Sequence, residues 1–85
     1  MLKFIDDYPP SLNKLQKMVG RDIQVITLKN GDFLVFNEKG RRKNLKNNFE
    51  ATKIYHENGG IKAMDIVGMA VIVKKGLLKL DITTH

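Results

Sequence analysis

Lys39, Arg41, Arg42, Lys43 and Lys46 fall within eight residues that hold no acidic side chain. Cations packed this closely create a local positive potential, and the planar guanidinium fork of Arg suits phosphate in particular. The stretch begins in Asn37-Glu38-Lys39-Gly40, a sequence of turn composition. Backbone N–H groups around such a glycine can gather into an anion-binding nest. The candidate binding residues are therefore Lys39, Arg41, Arg42, Lys43 and Lys46, with Asn37 and Glu38 shaping the turn. A phosphorylated small molecule, an acidic protein, DNA or RNA would each suit such a loop. Single-strand binders interleave aromatics with their basic residues. Here the nearest aromatics, Phe36 and Phe49, lie outside the cluster and read as core residues. The competing reading is a solvated loop that does no more than keep the protein soluble.

Catalytic chemistry finds few candidates. Cysteine is absent, which excludes a disulfide framework, a Cys-based zinc site and a thiol nucleophile. The only serine, Ser11, stands where a helix N-cap belongs. His56 follows Tyr55 in a predicted strand and reads as structural. Asp6 and Asp7 are adjacent, and neighbours on a strand point to opposite faces. The glycines at 59, 60, 68 and 76 match no phosphate-binding fingerprint. No enzyme, no cofactor and no metal site is expected.

These residues must be positioned by one small domain. The chain has 85 residues, of which 42% are hydrophobic and 28% charged, the proportions of a globular chain with a modest core. Its formal charge is +6, and the five cations of the basic stretch account for nearly all of it. The longest apolar run, Ile66 to Val73, is far short of the ~20 residues that cross a bilayer, and Asp6-Asp7 interrupts any leader-like start. A cytoplasmic protein without membrane contact is expected.

Leu2 to Ile5 reads as an edge strand, ended by Tyr8-Pro9-Pro10. Ser11 then caps a helix whose stripe is Leu12, Leu15, Met18 and Val19, with Gly20 closing it. Residues 22–28 and 32–37 form a hairpin about Asn30-Gly31, a pair suited to a type I′ turn. Asn44, Asn47 and Asn48 make the basic stretch a loop. Thr52 to His56 reads as a strand turning at Asn58-Gly59-Gly60. Residues 65 to 73 form a last strand, whose unalternating apolar run Ile66 to Val73 implies burial on both sides. The expected fold is thus α+β: an antiparallel sheet of four or five strands with one helix on one face, spanning residues 1–76. Residues 77–85 form a weakly patterned tail, partly disordered. A single helix leaves one apolar sheet face open, which predicts a homodimer or higher oligomer.

Three segments also carry a resemblance. Leu15-Gln16-Lys17-Met18-Val19-Gly20 with Ile23, then Asn37-Glu38-Lys39-Gly40 with Leu45 and Asn48, then Asp65-Ile66-Val67-Gly68 and its apolar strand occur in an order that resembles a small family of unknown function from bacteriophages and plasmids. Its pattern runs LQxxVGG-x-I, NEEGK-x-x-x-L-x-x-N and D-I-x-x-G-T. Arg21 departs from the second glycine of the first segment and Met69 from the threonine of the last. The basic run is not typical of members. What the resemblance implies is context: an accessory protein of a mobile element in a bacterial cytoplasm. Such proteins act by binding, so the expected function is to inhibit a host or defence protein or sequester a phosphorylated signal molecule. The alternative is an accessory binder of DNA or RNA.

Overall fold

The computed structural model describes residues 1–78. Four strands, β1 (Leu2–Ile5), β2 (Ile23–Thr27), β3 (Phe33–Asn37) and β4 (Ala70–Val73), make one sheet in the order β1-β4-β3-β2. Two helices accompany it, α1 (Leu12–Val19) and α2 (Phe49–Glu57). The α+β class is as expected from the sequence. The sheet is mixed rather than antiparallel: β2, β3 and β4 alternate in direction, but β1 runs parallel to β4. Both strands start from the same place, because the Met1 carbonyl accepts from the Ala70 N–H at 2.9 Å.

The hairpin forms where the sequence places it, with a different turn. The Gly31 N–H donates to the Leu28 carbonyl and the Leu28 N–H to the Asp32 carbonyl. Gly31 has φ +96°, and Asn30 stays at negative φ. A type I′ turn needs positive φ at both central residues. This is instead a three-residue loop with a glycine bulge. Asn30 is occupied otherwise, its Oδ1 accepting from the Asp32 N–H at 2.9 Å.

Helix α1 follows its sequence signals closely. The Ser11 hydroxyl accepts from the Lys14 N–H, and Leu15 and Val19 turn inward. They pack with Ile5, Val35, Val71 and Val73 on one face of the sheet. Gly20 ends the helix at positive φ, where any Cβ would run into the Asn37 side-chain amide.

Residues 52–56, expected as a strand, belong to α2. Asn48 caps this helix, and Ala51, Thr52 and Tyr55 form its buried stripe. At its far end Gly59 takes φ +86° and the Gly60 N–H returns to the Tyr55 carbonyl at 2.8 Å, a Schellman closure. Ala51 and Tyr55 pack on the second face of the sheet with Leu34, Phe36, Ala70 and Ile72. Two helices therefore cover the two faces. The premise of one helix covering one face therefore does not hold among the described residues. The absence of alternation in β4 has the same cause, since all four of its residues are buried. That strand is shorter than the expected 65–73, because Gly68 at φ +79° breaks the extended run. Leu77 and Leu78 are half-buried against the α1 side. The rest of the expected tail lies outside the described residues.

Asn48 connects these parts. Its Oδ1 accepts from the Ala51 N–H at 3.1 Å, while its Nδ2 donates to the carbonyls of Met1 and Gly68, both at 2.9 Å. Its own N–H donates to the Ile66 carbonyl at 2.8 Å. Loss of the cap costs about 1 kcal/mol, and each carbonyl deprived of its donor about 1 more. Asn48→Ala is expected to lower unfolding free energy by about 3 kcal/mol on these terms in urea titration. Asn48→Asp keeps the capping oxygen but presents an oxygen to two carbonyls, so it should be no milder. A well-tolerated Asp would show that the two donors are dispensable.

Candidate anion-binding loop

The loop grows out of the end of β3. Asn37 is 5% exposed, and its Oδ1 accepts from the Lys39 N–H at 2.8 Å while its Nδ2 donates to the Val19 carbonyl at 3.1 Å. It thus fixes the turn and holds the end of α1 at once. The chain then winds through Gly40, with the Lys43 N–H between the Lys39 and Gly40 carbonyls and the Leu45 N–H on Gly40 at 3.0 Å. Asn44 makes the exit at φ +53°, a conformation Asn tolerates.

Its base is clamped to the segment before β4. A Cβ on Gly40 would lie 2.7 Å from Val67 Cγ2, and one on Gly68 would lie 2.7 Å from Leu45 Cδ1. The Gly68 N–H donates to the Lys46 carbonyl at 2.7 Å, and Asn47 bridges to Val67. Two glycines thus allow the close approach that a side chain would prevent. The loop is a firm projection rather than a slack connection.

Its cations divide into two groups. Lys39 Nζ lies 3.6 Å from Asp22 Oδ2, an exposed ion pair, and Arg41 Nη2 makes a long 3.5 Å contact to the Asp65 carbonyl. Arg42, Lys43 and Lys46 are exposed and form no ion pair among the described residues. Glu38 is also exposed, its N–H donating to the Asp22 carbonyl. Asp22, Glu38 and Asp65 therefore sit toward the base, and the cations without an ion pair are Arg42 and Lys43 near the tip and Lys46 on the returning limb. Around Gly40, the backbone N–H groups of Arg41 and Arg42 have no hydrogen-bond acceptor among the described residues. The N–H groups of Lys39, Gly40, Lys43, Asn44 and Leu45 all donate within the loop or to Asn37. Attraction for an anion therefore rests on the side chains and on the Arg41 and Arg42 N–H groups.

One neighbouring residue escaped the sequence reading. Phe49, taken as core, is 78% exposed. It opens α2 directly after the Asn48 cap, two residues before the buried stripe begins. Lys53, also exposed, lies one turn further on the same helix face. Had residues 49–57 been read as a helix with Ala51 and Tyr55 inward, Phe49 would have been placed outside.

Ser11 and His56 have backbone partners. Ser11 caps α1. His56 is half-buried with Nε2 at 2.8 Å from the Met64 carbonyl, a contact that makes Nε2 the protonated nitrogen. Asp6 and Asp7 are exposed at the end of β1. Among the described residues no three His, Asp or Glu side chains gather as a metal site. No described helix is long and apolar enough to cross a membrane.

By sequence the chain belongs to a family described as Domain of unknown function (DUF3846), whose model matches residues 2–79. No curated protein and no solved structure matches it.

The division of the loop into base and tip has a measurable consequence. Arg42→Glu combined with Lys43→Glu should leave unfolding free energy within about 0.5 kcal/mol of wild type, because neither side chain has a partner to lose. Asn37→Ala should cost about 2 kcal/mol, since it strips a buried carbonyl and an N–H of their partner. Chemical denaturation of both variants checks the pair of values.

Proposed function

We propose that this chain is a non-enzymatic accessory protein of a phage or other mobile element, working in the bacterial cytoplasm by binding nucleic acid through the tip of its basic loop. The observation that carries this reading is the exposed trio Arg42, Lys43 and Lys46, without an ion pair among the described residues, on a loop held firmly at its base. Opposite charges in exposed pairs screen each other, whereas unpaired cations on a fixed support keep their field for an incoming anion. The mobile-element setting rests on the resemblance of the three segments described above. A non-catalytic role is supported by the positions of Ser11 and His56, each committed to a backbone partner.

Among anions, a phosphodiester chain fits this loop better than a small phosphorylated molecule. Tight capture of a small phosphate uses convergent donors, backbone N–H groups above all. Here most of those groups donate within the loop, only the adjacent Arg41 and Arg42 N–H groups are left, and the charged side chains are exposed. A chain of phosphates can meet several of them in succession. Inhibition of a host protein would instead require an acidic face on that protein.

Salt titration separates these partners. Each phosphate neutralised on duplex DNA steepens log K against log salt by ~0.9. Wild type should therefore bind DNA with a steep slope, and Arg42→Glu with Lys43→Glu should reduce that slope by about 1.8 and weaken binding on every sequence. DNA affinity indifferent to salt and to the charge reversal would contradict the proposal. So would polyglutamate bound as tightly as DNA, which would move the partner to an acidic protein.

A further inference from the structure

We infer that Phe49 is a stacking platform for an unpaired base, which makes the preferred partner a single-stranded nucleic acid rather than a duplex. The inference rests on the nucleic-acid reading of the basic loop and adds a second kind of contact to it. A phenylalanine 78% exposed forgoes nearly all the stabilisation that burial of its ring would bring. Isolated exposed apolar residues are ordinary, but the neighbourhood of this one is not neutral. Residues 41–53 carry five cations, Arg41, Arg42, Lys43, Lys46 and Lys53, against the single acid Glu50. Lys46 precedes Phe49 by three residues, and Lys53 follows it by four on the same helix face. An exposed aromatic ring with lysines close by in sequence on both sides is a composition by which single-strand binders hold bases by their faces and phosphates by charge.

The backbone that carries the ring is also held. Phe49 follows Asn48, whose three side-chain hydrogen bonds hold the start of α2 against β1 and the Gly68 turn. The ring is therefore presented from a held backbone, which leaves only its side-chain torsions for binding to order. A duplex keeps its bases stacked on one another and has no face to offer Phe49. A single strand does.

The test compares oligo-dT, an abasic strand of equal length and a duplex of equal length by fluorescence anisotropy of labelled DNA. Phe49→Ala should weaken oligo-dT binding about tenfold, the scale of one lost base stack. It should leave the abasic strand, the duplex and the salt slope unchanged. Phe49→Trp should restore or tighten oligo-dT binding. If Phe49→Ala leaves oligo-dT affinity intact, or weakens strand and duplex equally, the inference is wrong while salt-dependent binding through the loop still stands. If neither strand nor duplex binds, the nucleic-acid reading fails and the inference with it. Because the ring is exposed, thermal unfolding of Phe49→Ala should match wild type, which separates a binding loss from a folding loss.

Discussion

The buried carboxamide of Asn48 is the constraint on which the rest of the structure depends. A side chain 2% exposed must satisfy every polar atom it brings inside, because an unpaired buried group costs about 1–3 kcal/mol. Asn48 does so with an acceptor bond to the first turn of α2 and donor bonds to Met1 and Gly68. Those partners belong to three separate parts of the chain. One amide therefore starts the second helix, ties down the residue that leads into β1 and holds the turn that leads into the last strand. Asn37 performs a smaller version of the same task between α1 and the basic loop.

Around these two amides the sheet becomes the middle layer of three. Alternate residues of β3 sort cleanly, Val35 toward α1 and Leu34 and Phe36 toward α2. Thr52 joins the second layer by pairing its hydroxyl with Ile66, accepting from the N–H at 2.8 Å and facing the carbonyl at 3.3 Å. At the opposite end Asn58 reaches the hairpin tip, its Oδ1 accepting from the Asn30 N–H at 3.3 Å. A small core is thus supplemented by side-chain amides and hydroxyls that tie loops to helices, in a chain that has no cysteine for a disulfide.

What was legible in the sequence was local. Ser11 with its apolar stripe, and Asn30-Gly31 between two apolar runs, need no distant partner to declare a helix and a hairpin. Helix α2 is different. Thr52, Ile54 and Tyr55 favour strands by propensity, and the cap that overrides them bonds to residues 20 and 47 positions away. The parallel pairing of β1 with β4 is equally non-local. Among the site residues, the charge of the loop was plain from composition, whereas the fate of Asn37 and the exposure of Phe49 depended on which secondary structure surrounds them. The residues that carry the family resemblance, Gly20, Asn37, Gly40, Leu45, Asn48 and Gly68, meet one another or the segments they join. They build the support, and the basic tip projects from it.

On the proposed reading, function resides in what the support leaves free: Arg42, Lys43 and Lys46 of the basic loop, with Phe49 and Lys53 on the adjoining helix. Residue-resolved NMR of the labelled protein titrated with oligo-dT tests this most directly. The account predicts that backbone amides of Arg42, Lys43, Lys46, Phe49 and Lys53 shift progressively while those of α1 and the hairpin stay in place. Shifts centred on α1 or on the hairpin tip, or none at all at saturating strand, would contradict it.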